Sequence, residues 1–163
     1  MNLRPEQVAT ISAAALLHDI GKIGIPDSVL NKNGKLLDEE WELLRAHPRL
    51  SATIIGHVPS LNACLAAVRH HHERWDGKGY PAGLKEEEIP VEARILAVTD
   101  AFEAMISNRP YRGPLSYKKA IAELETCSGS QFDARIVNVF IPIALASAPD
   151  EAELEIQKML PSD

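Results

Sequence analysis

Two short segments of this sequence combine histidine and carboxylate side chains in a way that is typical of metal sites. In the first, His18 and Asp19 are adjacent, and Lys22 follows within one helical turn. In the second, residues 70–72 are three consecutive histidines that lead into a glycine-rich segment at residues 76–81. Imidazole and carboxylate ligands together suit Fe, Mn, Ni, Co or Zn better than Mg or Ca, which prefer oxygen. The two segments therefore predict a transition-metal site.

Helical periodicity indicates which of these side chains point into the protein. His18 and Asp19 continue a predicted buried stripe of a helix that ends near Gly21, and this stripe comprises Val8, Ile11 and Ala15. His71 and His72, but not His70, continue a second apolar face, which comprises Leu61, Cys64, Leu65 and Val68. We therefore expect four of the five side chains at 18, 19 and 70–72 to be inward-facing ligands.

Two further ligand candidates come from other predicted helices. A helix that is capped by Asp38 should stop at His47, because Pro48 disfavours a helical residue before it. Asp100 lies in an apolar helix from Val91 to Ile106, on a face that it shares with three small residues, Ala93, Ala97 and Ala104. Small residues let neighbouring helices approach closely around one inward carboxylate. The predicted metal ligands are therefore His18, Asp19, His47, His71, His72 and Asp100.

This ligand set predicts two ions rather than one. Adjacent side chains on a helix diverge by about 100°, so neither pair of neighbours can simply chelate a single ion. We expect Asp19 to bridge two ions, with His18 and Asp100 on the first, and His47, His71 and His72 on the second. Two ions about 3.5–4 Å apart polarise a phosphoryl oxygen and stabilise a leaving oxygen, which is the chemistry of phosphoester hydrolysis. Lys22 could donate to the phosphoryl oxygens as charge accumulates there.

Each of these residues also has an ordinary structural explanation. Asp19 alone could cap or pair, Lys22 alone could favour a helix C-terminus, and His57 and His70 are more typical of a surface. The glycines at 77 and 79 could form an ordinary turn, and Arg109 and Arg112 could be solvated charges or a phosphate clamp. The convergence of several buried ionisable groups favours the metal site, because burying them without a metal costs much free energy.

Composition sets the class of protein. The chain has 163 residues, 45% of them hydrophobic and 25% charged, with a net charge of −6, which argues against broad attraction to nucleic acid. No segment has the length and hydropathy of a membrane span or a signal peptide, so we expect a cytoplasmic protein. Cys64 and Cys127 are too few for a disulfide framework and should be reduced.

Apolar residues recur at helical spacing along nearly the whole chain, and strand-like alternation is absent, which predicts an all-α helical bundle. We expect one domain over residues 1–148, which includes late helices near Ser116 to Cys127 and Asp133 to Ala146. Residues 149–163 should form a peripheral helix or tail.

Taken together, the motifs resemble those of the HD-GYP family, over about residues 13–140. The resemblance rests on His18-Asp19 with Lys22, His47-Pro48, His71-His72 with Gly79-Tyr80-Pro81, Asp100, Arg109-Pro110-Tyr111-Arg112 and Phe132-Asp133. That family comprises HD-superfamily helical bundles of bacterial signal transduction, which hydrolyse cyclic di-GMP to linear pGpG or GMP with two or three ions, commonly iron or manganese. The resemblance implies that the six ligand candidates bind metal and that Asp19 and Lys22 are catalytic.

The resemblance further implies roles for the loops. Arg109, Arg112 and Tyr80 match substrate contacts, and Gly79, Tyr80 and Pro81 match the lid loop that names the family, which could also contact signalling proteins. The expected substrate is cyclic di-GMP or a related cyclic dinucleotide, whereas the oligomeric state is left open.

One departure from the family concerns the first metal position. The family usually has an upstream helix with a further histidine ligand, but none of the seventeen residues before His18 is histidine, and Glu6 is their one acid. Either the chain is part of a longer protein or it is a shortened member. We therefore expect a weakly occupied first position and slow turnover. The alternatives are a catalytically impaired regulatory or interaction module, and a phosphohydrolase that acts on other nucleotides.

Overall fold

The computed structural model describes residues 1–108 and 113–148, and within these ranges the chain is helical and contains no β-strand. The α-helices are α1 (Pro5–Leu17), α2 (Asp27–Leu30), α3 (Asp38–Arg45), α4 (His47–Ile55), α5 (Leu65–His70), α6 (Val91–Ile106), α7 (Tyr117–Thr126) and α8 (Ala134–Ala146). Short 3-10 helices lie at Ile20–Gly24, Pro59–Cys64 and Glu86–Glu88. The predicted all-α bundle is confirmed.

Helix α6 is the central element because it contributes to two hydrophobic clusters. Its Leu96 packs with residues of α1, α4 and α5 in one cluster, which contains Ala14, Ile55, Cys64, Ala67 and Val68. Its Val98 and Phe102 pack with α7 and α8 in the other cluster, which contains Leu124, Phe132, Ile136 and Val137. The first cluster brings together the four helices that carry or adjoin the predicted metal ligands.

The helices that close the bundle begin at side-chain caps. Ser116 precedes α7 and its hydroxyl accepts the amide of Lys119, while Asp133 precedes α8 and its carboxylate accepts the amide of Arg135. Such caps satisfy amides that lack a partner in the first turn of a helix. The predicted limits of α6 are confirmed, and those of α7 and α8 are met to within one residue.

The predicted buried stripe of α1 is wrong. Val8 is 49% exposed and Ala15 is also exposed, whereas Ala14 is fully buried. Apolar residues occur on every side of this helix, so periodicity alone could not identify its inner face. The helix also ends earlier than predicted, at Leu17, and His18 and Asp19 lie in the turn before the 3-10 helix.

Three other boundaries differ from prediction. Leu37, rather than Asp38, is the cap of α3, and α3 ends at Arg45, so that His47 begins α4. Proline is favoured in a first helical turn, which explains why Pro48 follows the start of α4 so closely. The helix predicted from Ser60 is a 3-10 helix up to Cys64 and becomes α-helical at Leu65.

Both cysteines have free thiols, as predicted. Across the described parts of the chain, every helix is too short or too polar to span a membrane. The predicted tail at residues 149–163 lies outside the described residues, and the division into two segments stays a prediction.

Candidate metal centre

The six predicted metal ligands meet where the end of α1, the start of α4, the end of α5 and the middle of α6 come together. The imidazole rings of His71 and His72 have centroids 4.1 Å apart, and the His47 ring is 4.9 Å from that of His72. On the other side, the His18 ring is 5.0 Å from that of His71. Asp100 approaches this side too, with its Oδ1 3.5 Å from His18 Nε2.

Two groups of ligand atoms are compact enough to hold an ion. His47, His71 and His72 form one group, and His18, Asp19 and His71 form the other, with the atoms of each group within 4.8 Å of one another. His71 thus belongs to both groups, whereas the sequence predicted it as a ligand of the second position alone. The His/Asp cluster could therefore bind metal ions at two neighbouring positions.

Backbone carbonyls orient three of the four imidazoles. His47 Nδ1 is 2.6 Å from the carbonyl of Leu44, and His71 Nδ1 is 2.6 Å from that of Val68. His18 Nδ1 is likewise 2.9 Å from the carbonyl of Ala15. A ring nitrogen that faces a carbonyl must donate its proton, so in a neutral imidazole the lone pair is on Nε2. This outer hydrogen bond is the usual way to orient a metal-binding histidine.

The atoms that converge at the centre fit a cation better than they fit one another. His47 Nε2 lies 3.4 Å from His71 Nε2 and 3.2 Å from Asp19 Oδ1. Because both Nδ1 atoms face backbone carbonyls, it is the Nε2 atoms of the two rings that point at each other and at the carboxylate. Among the described residues, Asp19 Oδ1 and His18 Nε2 are buried and have no hydrogen-bond partner. A metal cation at this place would satisfy all of these atoms once His18 has lost its proton.

Asp19 is the most strongly stabilised anion of the site. Burial opposes its ionisation, but interactions with His18, His47 and Lys22 outweigh burial and hold the pKa of Asp19 far below its usual range. Lys22 Nζ lies 2.5 Å from Asp19 Oδ2. One oxygen of Asp19 thus faces the lysine and the other faces His47, so the carboxylate is ionised and has an oxygen directed at each side.

The histidines differ in charge when no metal is bound. Burial lowers the pKa of His71 to about 4 and that of His72 to about 3. Burial also lowers the pKa of His18, but interactions with Asp100 and Asp19 outweigh it and raise this pKa to about 10. His71 and His72 are thus neutral and ready to bind a cation at neutral pH, whereas His18 must first lose a proton.

Ser51 and Gly21 hold the turn that carries His18 and Asp19. The Ser51 hydroxyl donates to the carbonyl of His18 at 2.6 Å and accepts the amide of Gly21 at 2.8 Å. A Cβ on Gly21 would lie 2.3 Å from the carbonyl oxygen of His47, so only glycine allows this approach to α4. The contact explains why α1 does not continue to Gly21 as predicted.

Glu73 holds the predicted lid loop against the histidine segment. Its fully buried carboxylate accepts the amides of Ala82 at 2.7 Å and Leu84 at 3.1 Å. Gly79 packs directly on the backbone of Glu73, and the amide of Tyr80 donates to the carbonyl of His72 at 3.2 Å. The loop is therefore fixed to the same peptide segment that carries two of the predicted ligands.

The Tyr80 side chain lies beside the metal centre. Its ring centroid is 5.0 Å from that of His72, and burial raises the pKa of Tyr80 to about 12, so the phenol is neutral. Arg49 Nη2 donates to the carbonyl of Pro81 at 2.9 Å, which connects the loop to α4 as well. This position is consistent with the substrate contact that the family resemblance implies.

The structure brings all six predicted ligands and Lys22 to one place, and their roles stay predictions. Arg109 and Arg112, the predicted phosphate contacts, lie outside the described residues. His57 is exposed, and His70 contacts Glu73 rather than the centre. Ser51 and Glu73 were not among the residues predicted from the sequence. Glu73 follows the histidine run directly and could have been suspected, whereas nothing near Ser51 in the sequence indicates its contact with residues 30 positions away.

Comparison with known proteins assigns this arrangement to a family. The family model described as "HD domain" matches residues 1–136. A cyclic di-GMP phosphodiesterase of Thermotoga maritima is 45% identical over 138 residues, which cover 83% of this chain and 38% of that protein. The cyclic di-GMP phosphodiesterase response regulator RpfG of Xanthomonas campestris is 44% identical over 144 residues, which cover 86% of this chain and 38% of that protein.

The solved structures agree with this assignment at the level of the fold. A cyclic GMP-AMP specific phosphodiesterase of V. cholerae superimposes with a TM-score of 0.67 and 17% identity, over 98% of this chain and 45% of that one. The chain thus spans less than half the length of each of these three proteins.

Proposed function

Because the chain belongs to the HD domain family, we propose that it hydrolyses a phosphodiester bond of a cyclic dinucleotide, with cyclic di-GMP as the preferred substrate. The resemblance to the HD-GYP members of that family is confirmed by the relatives. The observation that carries the proposal is the convergence of His18, Asp19, His47, His71, His72 and Asp100 on two adjoining groups of ligand atoms.

We assign the two groups to two transition-metal ions. His47, His71 and His72 would hold one ion, and His18, Asp19, Asp100 and His71 would hold the other, with Asp19 placed between them. When bound, such ions supply an activated water and a Lewis acid for the phosphoryl oxygens. The mixed nitrogen and oxygen donors support iron or manganese as the native metal, with Zn, Ni or Co as substitutes.

The other site residues have roles that do not require the metal to be described. Lys22 holds Asp19 through its ammonium group and is close enough to the centre to neutralise charge that develops on a phosphoryl group. Tyr80 offers a neutral phenol and a ring surface next to His72. Arg109 and Arg112 stay predicted phosphate contacts on the basis of the family motif.

The test pairs a metal assay with a turnover assay on the same preparation. Protein purified anaerobically with iron or manganese supplied should contain up to two ions per chain and should convert cyclic di-GMP to linear pGpG or GMP. His47→Ala should reduce both metal content and turnover, whereas His57→Ala, at an exposed histidine, should change neither. Metal-free wild-type protein, or metal-loaded protein that leaves every cyclic dinucleotide intact, would contradict the proposal.

A second candidate is binding of the cyclic dinucleotide with little turnover. Its support is the greater solvent exposure of the ligand group that contains His18. The His18 side chain is 17% exposed and the Asp19 side chain 37%, whereas the His47 side chain of the other group is 2% exposed. An ion in this group would depend on waters and would be lost more readily. Tight binding of cyclic di-GMP with one retained ion and negligible turnover would favour this candidate, as would binding of a signalling protein through the loop at Tyr80.

A further inference from the structure

The guanidinium group of Arg45 packs over two aromatic rings, those of Trp41 and Tyr80, at the edge of the metal centre. Its Cζ is 5.7 Å from the ring centroid of Trp41 and 5.6 Å from that of Tyr80. The Tyr80 ring in turn lies 5.0 Å from the ring of His72. A continuous row of flat groups therefore runs from a predicted metal ligand to the exposed side of α3.

The polar edge of Arg45 is available to a ligand. Its side chain is 51% exposed, and the nearby carboxylate of Glu42 is 3.8 Å away and 78% exposed, which is too far for a hydrogen bond and too solvated for a strong ion pair. Trp41 is also 43% exposed, although large aromatic side chains are usually more buried.

A second contact between arginine and tryptophan side chains in this protein has a purely structural role and serves as a comparison. Arg94 and Arg135 both pack on the Trp75 ring, at 5.6 and 5.3 Å. Both guanidinium groups are bound to the buried carboxylate of Asp133, at 2.8 and 2.9 Å. Both guanidinium groups of that pair are thus tied to a carboxylate within the protein, whereas the carboxylate beside Arg45 stands beyond hydrogen-bonding distance.

A purine base fits this combination of groups. Base faces stack on aromatic rings and on guanidinium planes, largely irrespective of sequence. The edge of a guanidinium donates two parallel hydrogen bonds to O6 and N7 of guanine, whereas adenine places an amino donor where guanine has O6. An arginine whose guanidinium packs against two rings and whose edge faces a base therefore distinguishes guanine from adenine.

We propose that Trp41, Arg45 and Tyr80 form a guanine-binding platform, in which one base of the cyclic dinucleotide stacks on the Trp41 ring and accepts hydrogen bonds from the edge of the Arg45 guanidinium, while its phosphate lies at the metal centre. Arg45 is then the residue that selects guanine over adenine. This inference rests on the proposed function, because it assumes that a cyclic dinucleotide is the ligand. A purely structural role would be a helix-stabilising pair of Trp41 and Arg45 at i and i+4 on α3.

Binding measurements on the full chain, loaded with manganese, separate these roles. The probes are the phosphorothioate analogues of cyclic di-GMP and cyclic di-AMP, which resist hydrolysis, at one fixed salt concentration. Arg45→Ala should weaken binding of the guanine ligand about 10-fold or more and that of the adenine ligand much less. Trp41→Ala should weaken both ligands by similar factors, and Trp41→Phe should restore most of the loss.

The control variant is Arg4→Ala, which removes one positive charge from a side chain that is 76% exposed at the start of α1. It should leave both affinities unchanged. Equal effects of Arg45→Ala on the two ligands, no effect on either, or loss of bound manganese in this variant would overturn the platform. If the unaltered chain binds both ligands, such a result refutes the platform alone, whereas failure of the unaltered chain to bind either ligand would refute the proposed function as well.

Discussion

Ser51 positions His18 through the peptide backbone, since its hydroxyl donates to the His18 carbonyl oxygen at 2.6 Å. The same hydroxyl accepts the amide of Gly21 at 2.8 Å, so one buried side chain fixes both ends of the turn that contains Asp19. The two residues are 33 positions apart, on α4 and at the end of α1. The direction in which Asp19 points thus depends on a residue that belongs to neither ligand group.

Replacing Ser51 by alanine should therefore affect both stability and metal binding. The amide of Gly21 would lose its partner in the protein interior, which typically costs about 1–3 kcal/mol of unfolding free energy. The freed turn should also bind metal more weakly in the group that contains His18 and Asp19. Urea denaturation and metal titration of Ser51→Ala measure the two effects.

Ser12→Ala is the matched control, because Ser12 is an exposed serine on α1 whose hydroxyl bonds only to the Val8 carbonyl. It should have little effect on either measurement. Unchanged metal affinity in Ser51→Ala would show that the turn holds its shape without this hydroxyl.

Gly79→Ala should displace the loop that carries Tyr80. A Cβ at residue 79 would lie 2.3 Å from the amide nitrogen of Arg74 and 2.5 Å from the Cα of Glu73, and neither backbone atom can move alone. We expect a destabilised protein in which Tyr80 no longer stacks near His72, and hence a raised KM for the cyclic dinucleotide. Thermal unfolding and steady-state kinetics test this expectation.

Gly24→Ala provides the comparison, because its added methyl group would meet a Leu50 side-chain carbon at 3.3 Å, which can move aside. If Gly79→Ala matches Gly24→Ala in stability and KM, close packing of the loop on Glu73 is not required.

The Glu73 carboxylate should be needed as a double acceptor. Its two oxygens accept the amides of Ala82 and Leu84, and a glutamine would offer one oxygen and would turn an NH₂ group toward the second amide. Glu73→Gln should therefore lower the unfolding free energy by about 1–3 kcal/mol, although the side-chain shape is preserved. Faster hydrogen exchange of the Ala82 and Leu84 amides is the specific readout, and unchanged exchange there would contradict it.

The sequence predicted the chemistry of the site better than the supports that hold it. Helix α6 was predicted at its observed limits, because a proline precedes it and its apolar residues follow one helical period. The inner face of α1 was predicted wrongly, because alanine, leucine, isoleucine and valine occur all around this helix. Its sequence therefore does not distinguish an apolar face from a polar one. Ligand residues are recognisable by type, whether or not the helix limits around them are right.

The residues that position the site act through contacts between segments that are distant in the sequence. The pairing of Ser51 with Gly21 and the stacking of Arg45 on Tyr80 each join residues that are 30 or more positions apart. Local spacing carries no information about such contacts. The membership of His71 in both ligand groups was missed for the same reason, since it depends on how close α1 and α4 approach α5.

The metal-free protein should be most stable near pH 6.5. His71 and His72 have pKa values lowered by burial to about 4 and about 3, so they take up protons on unfolding, and stability falls as the pH decreases from about 6.5 to about 3. His18 has a pKa raised to about 10, so its contribution is fully present below about pH 6.5 and is lost as the pH rises toward 10.

Urea denaturation of chelator-treated protein across this range tests both sides of the maximum. His18→Asn should flatten the alkaline side, and His72→Asn should flatten part of the acidic side, whereas His57→Asn at an exposed position should leave the profile unchanged. A profile that is flat between pH 5 and 9 would show that the buried histidines do not titrate as their surroundings require.

Alanine substitutions at His71 and His72 should have unequal effects on metal content, because His71 belongs to both ligand groups and His72 to one. After dialysis against graded chelator, His72→Ala should retain about one ion, in the group with His18 and Asp19. His71→Ala should retain less, because both groups lose a ligand. In the unaltered chain, we expect the chelator to remove first the ion near Asp19, whose side chain is 37% exposed, and later the ion near His47, whose side chain is 2% exposed. Metal analysis by mass spectrometry, with His57→Ala as the control, gives the count. Equal retention in the two variants would assign His71 to the second position alone, as the sequence had suggested.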